Sequence, residues 1–146
     1  MKLLKKMCSI HSPSGEEYNL SQFLLNYIDE NKKTWKNIPK IYIGDAFQDN
    51  IILVFGKPRT AIFAHLDSIG FTVKYNNEII KIGGPVSNEG IILVGEDSLG
   101  KIEGKIKRKD NKLFIDFNRY IDRGTSLTFK MNFREKGNYI QSCYLD

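Results

Sequence analysis

Cysteine is nearly missing from these 146 residues: Cys8 and Cys143 stand near opposite ends, with no metal-type spacing around them. That excludes a disulfide-rich scaffold and a thiolate zinc cluster, and both are read as reduced thiols. Long apolar runs are missing too. None approaches the roughly 20 residues that span a bilayer. The opening "MKLLKKMCSIHSPSGEE" turns polar before a signal-peptide core can develop. The expectation is a cytoplasmic protein without a membrane partner. Acidic excess is also lacking, since 22 Lys and Arg face 17 Asp and Glu and leave a net charge of +5.

Hydrophobic residues make up 41% and charged residues 27%, which suits a packed core and argues against wholesale disorder. Much of the basic excess sits in "GKIEGKIKRKDNK", where lysines alternate with Ile102 and Ile106 in strand fashion and Asp110-Asn111 supplies a turn. A solvated hairpin face accounts for it. A basic β module binding nucleic acid is the less favoured reading, kept because Phe114, Phe117 and Tyr120 follow soon after.

Leu20, Phe23, Leu24, Tyr27 and Ile28 recur at helical spacing, with Ser14 and Glu17 placed as a capping box, so a helix is predicted from about Gly15 to Asn31. A shorter helix is predicted over Lys2 to Ser9, ended by the Ser-Pro-Ser-Gly turn. From Ile38 the pattern changes to strands: "KIYIGD", "NIILVFG", "TAIFAHL" and "IGFTVKY". The continuous apolar runs "NIILVF" and "AIFA" suit strands covered on both faces, the start of an α/β sandwich. After Tyr75 the segments shorten and Gly and Asn punctuate them, as in a small barrel or sandwich. Two lobes are expected, with the boundary near Lys74 to Asn77.

The run "TAIFAHLDSIGFTVKY" carries a histidine and an aspartate at its centre. Residues two apart on a strand share a face, so His65 and Asp67 are expected to emerge together at the C-terminal end of a buried strand, where open α/β sheets place ligands. Imidazole is a common metal ligand, and a neighbouring carboxylate can fix its tautomer. A lone His-x-Asp is also compatible with a histidine at a strand edge and an aspartate starting a turn, because one ligand does not define a site.

Several motifs, ordered along nearly the whole chain, are similar to a known family. "SPSGEE" (Ser12 to Glu17), "DNIILVFG" (Asp49 to Gly56), "FAHLDSIGFTVKY", "GGPVSNEG", "RGTSLTF" and finally "GNYIQSCYLD" resemble the N-terminal part of the co-catalytic metallo-aminopeptidases of the glutamyl or deblocking type. The resemblance implies an α/β fold, a partial α/β/α peptidase catalytic lobe over 1–75 followed by a small β-barrel-like insert lobe over 76–146. It implies two divalent metal ions, zinc or cobalt, a peptide substrate, and a homo-oligomer formed through the β-rich lobe. His65 is then a ligand of one metal, Asp146 the carboxylate bridging both, and Asp67 the carboxylate that orients His65. His11 matches no ligand position and is read as a loop residue. "IDRG" (Ile121 to Gly124) imitates the family's Asp-x-Arg motif and is read as a turn.

The glutamate pair and the remaining ligands of that family have no counterpart in these residues. A metal site needs roughly three protein ligands per ion, so the chain alone is expected to bind metal weakly and to be incomplete as an enzyme. The alternative is a non-catalytic truncated homologue acting in assembly.

Overall fold

Apolar spacing of three and four residues produces the helix it predicts: α2 spans Tyr18–Asn31, and it buries Leu20 and Ile28. The computed structural model describes residues 2–47 and 50–142. These form two units, one of the N-terminal segment through Glu17 together with the chain from Asp67 onward, the other Tyr18–Leu66.

In the second of these units α2 is closed at its C-terminal end by Asn31, whose side-chain amide donates to the Tyr27 carbonyl at 2.8 Å. A single 3-10 turn, Lys32–Thr34, follows. Strands β1 (Lys40–Tyr42) and β2 (Ile52–Val54) then pair antiparallel, Ile41 opposite Leu53. The sequence predicts a buried strand over "TAIFAHL", and the structure has none there. Residues 60–66 carry no strand, and Ile62 and Phe63 are 94% and 90% exposed. A β-branched run becomes a strand only where a neighbouring edge accepts its backbone hydrogen bonds. Here β1 and β2 pair with each other over three residues, and their sheet holds no further strand among the described residues.

The other unit begins with helix α1, Lys2–Cys8, and is dominated by a closed antiparallel barrel. Its strands are β3 (Gly70–Val73), β4 (Glu78–Ile82), β5 (Ile92–Asp97), β6 (Gly100–Lys109), β7 (Lys112–Asp116) and β8 (Ser126–Phe129). They close in the order β3-β4-β7-β6-β5-β8. A hairpin of β9 (Phe133–Lys136) and β10 (Tyr139–Ser142) follows, and Lys5 of α1 makes an ion pair with Glu135 of β9.

Strand alternation explains the barrel. On β6, Ile102, Gly104 and Ile106 are buried while Lys101, Glu103, Lys105 and Lys107 are exposed. Phe71, Val73, Ile79, Leu93, Ile115, Leu127 and Phe129 supply the rest of the core, with Phe71 and Phe129 edge to face at 5.7 Å. Each such side chain contributes about 1.5–3 kcal/mol by leaving water. The β6–β7 hairpin turns on Asp110 and Asn111, at φ 48° and 59°, the left-handed pair that matches strand twist in a two-residue connection. Gly104 is a close-approach position. A Cβ there would lie 2.6 Å from Ile115 Cγ1 and 2.7 Å from the Asp116 carbonyl oxygen.

The barrel takes its first strand from Gly70–Val73, ahead of the boundary expected near residue 75. Phe71 and Val73 are fully buried in the barrel core, so "IGFTVKY" belongs with the short strands that follow it. The chain is mixed and mostly β, with two helices and a small barrel.

Candidate functional site

The turn "SPSGEE" folds back on the residues that lead into the barrel. Pro13 and Ser68 form a parallel bridge, with the Ser68 amide donating to the Ser12 carbonyl at 2.8 Å and the Ser14 amide to the Ser68 carbonyl at 3.2 Å. Ser12 and Pro13 are buried by this pairing. Gly70 permits it, since a side chain there would meet the Leu127 carbonyl at 2.6 Å and Pro13 Cβ at 3.4 Å.

With the turn fixed, its side chains reach two places. The Ser14 hydroxyl donates to Asp67 Oδ2 at 2.5 Å, which anchors that carboxylate from across the bridge. Glu16 instead faces β8: Ser126 Oγ donates to its Oε1 at 2.7 Å, and His11 Nε2 lies 3.4 Å from its Oε2. The other ring nitrogen of His11 is 3.1 Å from Thr128 Oγ1. Ser126 and Thr128 alternate with the buried Leu127 and Phe129, so they belong to the outer face of β8. The capping box predicted from Ser14 and Glu17 does not form in that way. Ser14 is taken by Asp67, and Glu17 Oε1 accepts from the Gly15 amide at 2.8 Å.

Of the residues singled out from the sequence, Asp67 lies in the barrel unit, half-buried at the bridge. His65 lies in the Tyr18–Leu66 unit, exposed and outside any strand, so the strand end expected to carry it is not there. Asp146 lies outside the described residues, as do Cys143 and the Asp49 of "DNIILVFG". Asp122 of "IDRG" sits in a turn and accepts from the Ser98 amide at 3.1 Å and its hydroxyl at 2.5 Å. Among the described residues no three His, Cys, Asp or Glu side chains gather as a metal-binding group.

Sequence reasoning missed the His11–Glu16–Ser126–Thr128 arrangement. Glu16 and Ser126 are 110 positions apart, and no periodicity or motif links them; only the closure of the barrel beside the turn does. In chemical terms the arrangement is a carboxylate shared by an imidazole and a hydroxyl. The Ser126 hydroxyl faces the acid and so lacks a base to activate it, whereas the Thr128 hydroxyl lies against the imidazole, whose other nitrogen faces Glu16.

Where the β5–β6 hairpin turns, a second polar cluster is structural. Arg119 makes a two-pronged pair with Asp97, 2.6 and 2.7 Å, and Asp97 also accepts from the Leu99 and Asp122 amides. The Arg119 hydrogen bonds hold the Asp97 carboxyl well below the usual carboxylate range, with those amides adding to the effect.

No helix among the described residues is long and apolar enough to cross a membrane. No protein-family model matches the chain, and no curated protein matches it.

Proposed function

We propose that this chain is the N-terminal portion of a metal-dependent aminopeptidase, with residues ahead of the barrel strand at Gly70 contributing to an α/β/α catalytic lobe and the β-rich part serving as an insert that mediates homo-oligomerisation. In this reading His65 ligates one of two divalent ions, zinc or cobalt. Asp67 orients it and Asp146 bridges the pair. The single observation that supports it most is the Ser14–Asp67 hydrogen bond of 2.5 Å, which joins two of the family-like motifs, "SPSGEE" and "FAHLD", that are 53 positions apart. A carboxylate anchored from one side is suited to orienting an imidazole, and such orienting partners raise ligand basicity.

The residues present fit only part of such a centre. His65 and Asp146 are one nitrogen and one carboxylate, against roughly three protein ligands per ion, so the remaining ligands would come from outside these residues. Two metals would supply an activated water and a polarised carbonyl. What this chain supplies is the first imidazole, its orienting aspartate, and the serine that fixes the aspartate.

The reading is tested by titrating the isotope-labelled chain with Co(II) and following its amide resonances. Broadening centred on His65, displaced by Zn(II) and absent in His65→Ala, is the expected result. Broadening centred on His11 and Glu16, or none at His65, overturns the metal assignment. In an enzyme that contains this chain, Asp67→Asn lowers metal affinity or activity by about 10- to 100-fold.

A further inference from the structure

One mouth of the barrel differs in chemistry from its core. On β6 and β7, Ile106 pairs with Ile115 inside the core, and two positions on, Arg108 pairs with Leu113. On β4, Ile79 is in the core and Lys81 is two positions on. Alternation therefore carries the inward-facing rows out to Arg108, Leu113 and Lys81 at the rim. An open groove of about 360 Å³ lies at this gap, with Ile79, Lys81, Arg108 and Leu113 from the inward-facing rows and Ile80 and Lys112 from the outer face.

The sheet is open at the same place. The β4–β7 ladder consists of Glu78–Phe114 and Ile79–Leu113 and stops there. The Lys74 amide donates to the Glu78 carbonyl at 2.7 Å, so Glu78, Ile80 and Ile82 turn their backbone groups towards β3. By alternation Ile79 and Lys81 turn theirs towards β7, and past Ile79 there is no ladder partner. The Lys81 N–H and C=O thus edge the groove.

Charge at the mouth is unbalanced. Glu78 is the acidic residue of the lining, and it is engaged by Lys112 at 3.0 Å and Lys74 at 3.4 Å. Glu89 stands beyond the lining on the crossing loop, where its Oε1 accepts from the Arg108 backbone amide at 2.7 Å. No carboxylate among the described residues forms an ion pair with the Lys81 ammonium or the Arg108 guanidinium.

We propose that this mouth is a docking site for an extended acidic peptide segment, which pairs its backbone with the open edge of β4 at Lys81 and sets its carboxylates against Lys81, Arg108 and Lys112. An open strand edge with flanking side-chain pockets is the arrangement used in strand-addition recognition. The walls favour this occupant over others. Ile79, Ile80 and Leu113 offer no aromatic face for stacking bases, and a bare inorganic anion uses neither the apolar wall nor the strand edge. The inference is independent of the aminopeptidase reading.

The test is a titration of the isotope-labelled full chain with a capped hexapeptide alternating glutamate and valine, against the same peptide with glutamine for glutamate. Saturable shifts at Lys81, Ile82, Ser87, Arg108 and Leu113 are expected for the acidic peptide alone, weakening with added salt, with slowed exchange of the Lys81 amide in the complex. Lys81→Glu combined with Arg108→Glu weakens binding by about tenfold or more. Lys101→Glu, on the outer face of β6, leaves most of the affinity in place, and dispersed spectra show that both variants fold. The absence of saturable shifts, equal binding of the glutamine peptide, or loss of affinity in the Lys101 variant alone would overturn the proposal. So would the same β4-edge shifts produced by inorganic phosphate, or tighter binding of a single-stranded oligonucleotide at these residues.

Discussion

The barrel is built from less apolar sequence than the Tyr18–Leu66 unit, and the two end differently. "GFTV" and "GIILVGED" bury Phe71, Val73 and Leu93 completely, whereas "TAIFAHL" leaves Ile62 and Phe63 almost wholly exposed. The difference is closure. Each barrel strand has a ladder partner on both sides for at least part of its length, so its side chains gain a common interior while its backbone stays hydrogen-bonded. In the other unit the sheet is two strands of three residues, and residues 60–66 add no strand to either of its edges. Hydrophobicity selects what can be buried; strand partners decide what is.

That contrast can be broken most severely from inside the barrel. Phe71→Ala removes a fully buried ring stacked edge to face on Phe129, and is expected to cost about 3–5 kcal/mol in denaturant unfolding. Phe63→Ala, a like truncation at an exposed position, is expected to stay within about 0.5 kcal/mol. Comparable losses at the two sites would refute the contrast. Overfilling is the next largest effect. Gly104→Ala places a methyl group against Ile115 and the Asp116 carbonyl and should destabilise the barrel by about 1–3 kcal/mol, read in the same assay.

Acid sharpens the comparison at a smaller scale. Asp97 titrates below its unfolded value because of Arg119, so its contribution is complete above about pH 4 and is lost as pH falls through the depressed folded value. Asp97→Asn should therefore lower the melting temperature at neutral pH, and the gap to the parent protein should narrow on acidification. A gap independent of pH would mean that Asp97 acts by shape and not by charge. The mildest test perturbs nothing: amides of 60–66 should exchange fast, while those of Leu93, Ile106 and Leu127 should be among the slowest.

Parts of this were legible in the sequence because they depend on near neighbours. The Asp110-Asn111 hairpin follows from residues that tolerate positive φ, the β6 alternation from lysines spaced between isoleucines, and α2 from its apolar stripe. The candidate site was legible only in its names. Asp67 and Ser14 both stand in motifs of the sequence, but nothing in their spacing says that the serine binds the aspartate in place of a helix cap. His11 reads from the sequence as a loop residue, and it contacts Thr128 across 117 positions.

The sequence by itself determined the local choices: which segments prefer helix, where chains turn, and which strand face is apolar. These depend on φ/ψ preference and periodicity, and they operate over a few residues. Only the tertiary structure decided that β3 joins the barrel, that "TAIFAHL" forms no strand, and that a basic mouth opens where the β4–β7 ladder stops at Ile79–Leu113. Those outcomes depend on which edges come within hydrogen-bonding distance, a property of the closed sheet that no short stretch of the chain contains.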